Sequence, residues 1–508
     1  MGHLYSEVVQ REVVVCGHRP FPFWRELRNV GFYRPRHDPL SVSTVEYPVP
    51  TKQNLSFYGG TVGALAPFAA FLVGVSWLGL TGAPDETGLW PIVLIGITVG
   101  LFLAKDRSVY ADAVIDGMSR RIVMIMVLAW ILAGVLGILL RESGLVDALV
   151  WSTQAMGVSG GGYVAAAFLV CMVFSTATGT SLGTLLVCGP LLYPAGAALS
   201  AEPAFLMGAI IAGATFGDNI SPISDTTIAS ATTQGADLGG VVRSRMRYAL
   251  PAAVLALVSF ALFGGSSGTQ DAALDFPQDK LSLVLLVVPA LVVTLLMRGK
   301  HLVEGLLFGI VATVVLGLLM GRFALTDLLG VDRENFIATG LLLDGMRRAV
   351  GVSVFTLLLM GLVGGLEAGG LIERLVTWIR LRATNEAKAE WWIFTAISGA
   401  TILTTHPVVA LVTVGELAND VGSSAGIDAY RRANILDVVS CTYPFLLPFF
   451  IPTVLAASLT AGVDGMPHLT PWDVGLHNVH SWGLLAVIVI AIATGWGRAG
   501  AHIAQARV

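Results

Sequence analysis

Long apolar runs separated by short polar segments dominate the chain from residue 59 onward. A helix that spans a bilayer needs about 20 mostly apolar residues. Two of the apolar runs are read as pairs of helices, and each pair is either two full crossings or a re-entrant hairpin. The pattern therefore predicts an all-α polytopic membrane protein with about 10–14 membrane segments. The candidate segments are 59–82, 90–105, 121–140, 161–199 (a pair), 205–231, 247–264, 281–297, 302–320, 348–366, 391–418 (a pair), 433–460 and 482–497.

The composition agrees with a lipid bilayer as the surroundings of the chain. Hydrophobic residues make up 55% of the 508 residues, charged residues make up only 13%, and the mean hydropathy is +0.76. A soluble protein has roughly 25% charged residues. The net charge of −4 gives no basic surface of the kind that binds nucleic acid, so no nucleic-acid partner is expected.

Lysine and arginine are concentrated in predicted loops that fall on one side of the membrane. Such loops are usually cytoplasmic, so both termini are predicted to be cytoplasmic in a multi-pass protein of a bacterial inner membrane. This reading places Arg245 in loop 232–246 and leaves no Lys or Arg inside a predicted span. The residues that define this side include Arg107, Arg120, Arg121, Arg243, Arg298, Lys300, Arg374, Arg380, Arg382 and Lys388.

Two stretches share one order of features and are predicted to cross the membrane in opposite directions. Each starts with Asp-Gly-Met and arginines, at 116–121 and at 344–348, and continues with an apolar helix and a Gly-Leu pair. An uncharged threonine-rich segment follows, at 175–181 and at 401–407, and then a helix with one acid. Inverted repeats with broken helices are a transporter architecture. The chain is therefore predicted to contain two inverted-topology repeats with broken helices and helical hairpins.

These repeats set the predicted domain organisation. Both ends of the chain are expected to be cytoplasmic tails, and the first is basic. The predicted parts are the N-terminal tail 1–58, transmembrane repeat 1 at 59–264, an extracytoplasmic linker at 265–280, the inverted repeat 2 at 281–497 and the C-terminal tail 498–508.

Two carboxylates in the predicted span 205–231 are the strongest functional signal. Asp218 and Asp225 lie at membrane depth, where each charge costs roughly 2.5–3.5 kcal/mol. Gly217 and Pro222 make an unbroken helix unfavourable there, and irregular backbone at this depth must line a cavity or be buried in protein. Oxygen ligands of the kind that a small hard cation prefers surround the two acids. They come from Asn219, Ser221, Ser224 and Thr226.

The chemistry predicted for this segment is competition between sodium and a proton. A carboxylate binds either ion but not both, and a site exposed alternately to each side of the membrane then exchanges them. We therefore predict a sodium site at Asp218 and Asp225, without dividing the roles between the two acids. The transported ion is the only cofactor expected, and no enzymatic activity is predicted.

Further site residues come from the second half and from the threonine-rich segments. Asp437 is read either as an ion or proton ligand or as a structural partner of Arg431 or Arg432. Hydroxyls at the turning points of the helix pairs either complete the site or bond to their own helix backbone. His406 is either a pH sensor or proton relay, or a packed neutral histidine. The hydroxyl candidates are Thr178, Ser181 and Thr404.

The segment from Gly217 to Thr227, GDNISPISDTT, resembles the signature of NhaC-type sodium/proton antiporters of the ion transporter superfamily. The segment from Thr178 to Thr184, TGTSLGT, is similar to the preceding motif of that family. The resemblance implies an inverted-repeat fold with helical hairpins and exchange of sodium, or lithium, for protons. A homodimer is left open as the assembly.

Two other functions remain open at this stage. Relatives in the family include exchangers of malate against lactate with sodium and amino-acid carriers, so the alternative is a sodium-coupled carrier or exchanger of an organic acid or amino acid. An intramembrane hydrolase is the second, based on the G-x-S-x-G matches at 157–161 and 179–183. This signal is weak, because the motif requires a preceding strand and neither match follows one.

Overall fold

The computed structural model describes residues 55–81, 86–222, 224–265, 280–298, 300–333, 336–371 and 385–498. Most of the predicted N-terminal tail, most of the linker and most of the C-terminal tail lie outside these residues. Within them the chain is almost entirely helical, as predicted. The one sheet in the described residues is a short antiparallel pair of strands, β1 (Gly330–Asp332) and β2 (Ile337–Thr339).

The first half contains ten described helices, most of them apolar along their whole length. Two breaks between consecutive helices, at Gly179 and Thr180 and at Ser221 and Ser224, become important at the candidate site. The helices are α1 (Gly60–Thr81), α2 (Glu86–Leu103), α3 (Arg107–Met118), α4 (Arg121–Glu142), α5 (Leu145–Ala155), α6 (Gly161–Thr178), α7 (Ser181–Leu192), α8 (Pro203–Ile220), α9 (Asp225–Thr233) and α10 (Leu238–Phe263).

The second half repeats the alternation of long helices with broken ones. A 3-10 turn at Lys280–Leu286 precedes it, and another lies at Tyr443–Phe445. The helices are α11 (Val287–Met297), α12 (Leu302–Leu319), α13 (Leu325–Leu328), α14 (Leu341–Arg348), α15 (Val350–Ala368), α16 (Glu386–Thr404), α17 (Pro407–Ser424), α18 (Ala429–Ser440), α19 (Ile451–Ser458), α20 (Pro471–His477) and α21 (Val479–Thr494).

Polar residues in front of the helices decide where several of them begin. The Asp106 carboxylate accepts from the N–H of Ser108 (3.0 Å) at the start of α3. The Asp237 carboxylate accepts from the N–H of Gly240 (2.7 Å) at the start of α10. Such caps satisfy backbone donors that have no partner inside the helix. Helix α10 therefore begins at Leu238, nine residues before the predicted start of its span at residue 247.

Fewer helices qualify as complete membrane spans than the 10–14 segments predicted. Among the described residues, seven are long and apolar enough, or eight if α20 and α21, which meet at 55°, form one span. Three shorter apolar helices lie at Thr87–Leu103, Ser181–Gly196 and Leu281–Leu296. The difference arises because several predicted segments are half-helices on either side of a break.

The two predicted helix pairs break with the same backbone geometry. In the first pair, Gly179 is left-handed (φ 68°) and Thr180 is extended (φ −138°, ψ 120°). In the second pair, Thr405 is left-handed (φ 51°) and His406 is extended (φ −136°, ψ 116°). Each pair is thus two helices joined by a sharp two-residue turn. The match supports the predicted internal repeat at the level of backbone geometry.

The Asp-Gly-Met segment of each half packs against a helix of the other half. Gly117 in α3 lies against the backbone of α15 at Gly364, and Gly345 in α14 lies against the backbone of α4 at Gly134. A Cβ added at Gly345 would lie 2.5 Å from the Cα of Val135, and one added at Gly117 would meet the carbonyl oxygen of Met360. Small residues allow this close approach of helices in membranes.

Gly117→Ala and Gly345→Ala are each expected to lower stability by about 1–3 kcal/mol, because each methyl group would push against backbone that cannot yield. The measurement is the thermal unfolding midpoint of purified protein in detergent. Gly162→Ala is the control, since its Cβ would lie 3.6 Å from the side chain of Val158, an ordinary contact. An equal loss in the control would show that close packing at the two glycines is not the cause.

Candidate functional site

The candidate site is the break between α8 and α9. Helix α8 ends at Ile220, Ser221 (φ −68°, ψ 128°) and Ser224 (φ −67°, ψ 137°) are extended, and α9 begins at Asp225. Pro222 lacks an N–H and disfavours helical backbone at the residue before it. The predicted helix break is therefore confirmed. Residue 223 lies outside the described residues.

Close packing against α6 holds this break inside the protein. The Ser175 hydroxyl donates to the carbonyl oxygen of Gly213 (2.8 Å), which ties α6 to α8. A Cβ added at Gly217 would meet the hydroxyl and backbone of Ser175 and the backbone N of Thr176. Glycine at 217 thus lets α6 approach α8 at the turn before Asp218.

Asp218 is buried, with 7% of its surface exposed, and is surrounded by hydroxyl groups. Ser181, at the start of α7, donates to one carboxylate oxygen (2.8 Å), and Ser224, before α9, donates to the other (2.8 Å). The Ser224 and Thr226 hydroxyls lie 2.9 Å apart. Within the described residues no basic side chain lies within 4.0 Å of this carboxylate. The start of α7 and the start of α9 therefore both present hydroxyl oxygen to the same acid.

Asn219 and Ser221 add buried polar groups to the same turn. The Asn219 side-chain nitrogen donates to the carbonyl oxygen of Thr215 (3.1 Å). Its side-chain oxygen is buried and has no hydrogen-bond partner among the described residues. Ser221 is buried, and its backbone N–H donates to the carbonyl oxygen of Gly217 (2.8 Å). A buried oxygen without a partner, one residue after Asp218, is an available ligand for a cation.

Asp225 differs from Asp218 in its environment. It is exposed, and its carboxylate accepts from the N–H of Thr226 (2.9 Å) at the first turn of α9. It lies close enough to interact electrostatically with both Asp218 and His406. Asp225 therefore stands at the open side of the break and Asp218 on its enclosed side.

The other threonine-segment candidates make local contacts. The Thr178 hydroxyl donates to the carbonyl oxygen of Phe174 (3.0 Å), and the Thr404 hydroxyl donates to that of Ala400 (2.8 Å). Both therefore bond to their own helix, which is the second of the two readings left open above. Of the three hydroxyl candidates, the structure brings Ser181 to the carboxylate.

His406 occupies the extended position at the break between α16 and α17. Its backbone N–H donates to the Thr404 hydroxyl (3.3 Å), and its Nδ1 is buried without a partner among the described residues. Arg120, Glu367 and Asp225 are the charged groups that face it. These contacts leave the relay role of His406 a prediction. His480, which precedes the predicted span 482–497, is buried in α21, and its ring lies 5.6 Å from that of Phe216.

Asp437 forms an ion pair that sequence reasoning missed. Its carboxylate pairs with the guanidinium of Arg245, and both side chains have no exposed surface. It also accepts from the hydroxyls of Thr227 (3.3 Å) and Ser230 (3.4 Å), and from the thiol of Cys441 (3.1 Å). Arg245 was predicted to lie in loop 232–246. The correct position is inside α10, because the cap at Asp237 starts this helix earlier than the apolar run suggested.

The predicted alternative partners of Asp437 bond elsewhere. Arg431 pairs with Glu390 (2.9 Å), and Arg432 donates to the side-chain oxygen of Gln234 (2.9 Å). The alternative reading of Asp437 as a structural partner of Arg431 or Arg432 was therefore wrong in its partner, which is Arg245. The role of Asp437 as an ion or proton ligand stays a prediction. The signal available in the sequence was that Arg245 lies on a segment capped at Asp237, close to the apolar run.

Ser181→Ala is expected to raise the sodium concentration for half-maximal exchange by about 10-fold, because a hydrogen-bonding group on a buried charge contributes about 1.5–3 kcal/mol. Thr178→Ala is the matched control in the same motif, since its hydroxyl bonds to its own helix. Initial rates of sodium-driven proton flux in proteoliposomes are the measurement. A larger effect in Thr178→Ala than in Ser181→Ala would contradict the assignment of Ser181.

Comparisons with known proteins identify antiporters as relatives of this chain. Residues 28–265 match the model of the Na⁺/H⁺ antiporter family. The chain is 25% identical to the Na⁺/H⁺ antiporter NhaC of Alkalihalophilus pseudofirmus over 74% of this chain and 84% of that protein. It is also 25% identical to the malate-2H⁺/Na⁺-lactate antiporter of Bacillus subtilis, over 60% of this chain and 67% of that protein.

Among solved structures, the chain matches the YdaH transporter of Alcanivorax borkumensis at 14% identity, with a TM-score of 0.38 and coverage of 73% of this chain and 85% of that one. The family match covers the segment that contains both quoted motifs, and the NhaC relative extends over most of the chain. The resemblance stated from the motifs is therefore confirmed: the chain is similar to NhaC-type Na⁺/H⁺ antiporters.

Proposed function

We propose that this chain exchanges sodium, or lithium, for protons by alternating access, with Asp218 holding either the metal ion or the proton. The observation that carries the proposal is a buried carboxylate that is bonded by hydroxyl groups and has no basic partner within the described residues. A permanent cationic partner would compete with sodium. Among the described residues Asp218 has none, so its charge is available to a transported ion.

The surrounding groups suit both loaded states. A hydroxyl group donates one hydrogen bond and accepts through two lone pairs. Ser181 and Ser224 donate to the free carboxylate, and the Thr226 hydroxyl lies 2.9 Å from that of Ser224. All three hydroxyl groups offer oxygen to a sodium ion after rotation of their hydrogens. The side-chain oxygen of Asn219 is a further ligand. When Asp218 holds a proton instead, its O–H has hydroxyl oxygens within reach to donate to.

Charge neutrality explains why exchange is coupled. Asp218 with sodium and Asp218 with a proton are both neutral, whereas the empty carboxylate is an isolated charge in a low-dielectric interior. An unpaired charge at membrane depth is costly, which disfavours the conformational change of the empty carrier. Asp225, exposed at the same break, is proposed as the second carboxylate that an ion meets on its way to or from Asp218.

The proposal includes the placement of the chain in the membrane. The concentration of Lys and Arg in loops of one side supports a bacterial inner-membrane protein with both termini in the cytoplasm. The matched turns at 179–180 and 405–406 and the reciprocal packing of Gly117 and Gly345 support two inverted repeats at 59–264 and 281–497. A homodimer stays a prediction.

The alternative function is sodium-coupled transport of an organic acid or amino acid. One relative is named for malate, lactate and sodium, which is why this alternative is kept. An anionic substrate would use a free arginine or helix N-termini. Arg245 is the buried arginine nearest the break, and its guanidinium already pairs with Asp437. This favours the pure cation exchange.

The test is proton flux in proteoliposomes that hold a pH gradient. Sodium, lithium, potassium, malate, lactate and amino acids are added one at a time. Collapse of the gradient by sodium or lithium alone is the expected result. No response to sodium alone, together with uptake of an organic substrate that requires sodium, would overturn the proposal in favour of the carrier.

A further inference from the structure

The two halves of the chain each place one acid just before a helix break. Asp218 lies near the end of α8, which stops at Ile220, and Asp437 lies near the end of α18, which stops at Ser440. Each of these helices follows a helix pair with the same left-handed and extended turn. The two acids therefore hold corresponding places in the two repeats.

The partners of the two acids are nevertheless different. Ser181, directly after the first turn, donates to Asp218 (2.8 Å). The residue directly after the second turn is Pro407, which has neither a hydroxyl nor an N–H. Asp437 instead pairs with Arg245, which reaches it from α10 of the first half. The two repeats therefore differ in the groups that bond to their acids: a hydroxyl group at Asp218 and the Arg245 guanidinium at Asp437.

Arg245 is surrounded by the oxygen atoms that would otherwise bind a hard cation. Its guanidinium donates to the carbonyl oxygen of Asn219 (2.5 Å), to the hydroxyls of Thr227 (2.9 Å) and Ser230 (3.3 Å), and to the side-chain oxygen of Asn434 (3.1 Å). Together with the Asp437 carboxylate, the oxygen atoms around the guanidinium therefore include carbonyl, hydroxyl, amide and carboxylate oxygens. Hard cations such as sodium take this donor set.

We propose that Asp437 and these oxygens form a second cation site, which the chain fills permanently with its own Arg245 guanidinium. The inference rests on the proposed function for Asp218 and deepens it. A tethered cation cannot leave, so the second repeat contributes structure and charge balance. Only the site at Asp218 exchanges its ion. Wild-type protein therefore binds one sodium ion per chain.

Arg245 also links the parts that the transport cycle must keep aligned. It bonds to the end of α8 through Asn219, to α9 through Thr227 and Ser230, and to α18 through Asn434 and Asp437. A mobile sodium at this place would leave these three helices without that link in each cycle. The permanent cation keeps the two broken helices in register in both loaded states.

The test is the number of sodium ions bound per chain, measured by equilibrium binding of radioactive sodium to purified, monodisperse full-length protein. Wild type is expected to bind one ion, and Arg245→Ala two, since removal of the guanidinium frees both the space and the Asp437 carboxylate. Asp218→Asn is expected to bind none, and Asp218→Asn with Arg245→Ala one. Arg245→Ala with Asp437→Asn is the matched control and is expected to lose the second ion while keeping charge balance.

The outcomes separate this inference from the proposed function. Two ions bound by wild type, or one ion bound by a folded Arg245→Ala, would overturn the tethered-cation site while leaving Asp218 as the exchanging site. No ion bound by wild type would overturn the proposed function. One ion bound by Asp218→Asn with Arg245→Ala would still support the site at Asp437. If Arg245→Ala does not purify, Arg245→Ser replaces it and is likewise expected to bind two ions; one ion bound by a folded Arg245→Ser would overturn the tethered-cation site.

Discussion

Asp218→Asn is expected to reduce sodium-driven proton flux by more than about 100-fold. The amide has almost the same shape as the carboxylate but has no charge for sodium and no site for the transported proton. Loss of a buried charged ligand is worth at least about 3 kcal/mol, which corresponds to roughly 100-fold in binding. Asp218 accepts from both Ser181 and Ser224, so the amide also loses one of its acceptor positions. The measurement is the initial rate of sodium-driven flux in proteoliposomes at matched protein content.

Asp112→Asn is the control for this prediction. Asp112 lies on α3 and is exposed, so removal of its charge changes surface electrostatics alone. Its flux should stay close to that of wild type. Exchange by Asp218→Asn at a rate near that of the control would contradict the role of Asp218, whereas the same loss in both variants would indicate a general effect of charge removal.

Gly217→Ala is expected to destabilise the protein by about 3 kcal/mol or more, at the upper end of the usual effect of overpacking. The added methyl group would meet the backbone of α6 at Ser175 and Thr176, which no side-chain rotation can relieve. Separation of α6 from α8 would also break the Ser175 hydrogen bond to Gly213 (2.8 Å). A large fall in the thermal unfolding midpoint, with loss of exchange, is the expected result.

Gly305→Ala is the matched control, because Gly305 is also a buried glycine inside a helix, α12. Its Cβ would lie 3.5 Å from the side chain of Leu296, an ordinary contact. Alanine also favours a helix by about 1 kcal/mol over glycine. The control should keep or gain stability. A Gly217→Ala protein as stable as wild type would show that α6 and α8 are less tightly packed than the structure indicates.

Local signals in the sequence were enough to predict the class of fold and the helix break at the candidate site. Apolar runs predicted the helices because only backbone that satisfies its own hydrogen bonds crosses lipid. The threonine-rich segments 175–181 and 401–407 were predicted as the turning points of two helix pairs, and Gly217 with Pro222 predicted the break before Asp225. These features depend on residues close together in the chain. The motif around Asp218 also indicated a resemblance to the antiporter family, which the comparisons confirmed.

Contacts between distant parts of the chain decided the rest. Thr178 and Ser181 both carry a hydroxyl group and lie in the same motif. Their side chains point in different directions at the turn, so the Thr178 hydroxyl bonds to its own helix and the Ser181 hydroxyl bonds to Asp218. Arg245 and Asp437 are 192 positions apart, and no local pattern indicates that α10 and α18 meet. A long guanidinium side chain reaches several partners, so only the packing of these helices determines which acid it neutralises. The sequence thus specified where acids lie at membrane depth, and the tertiary structure specified which of them is left without a cation.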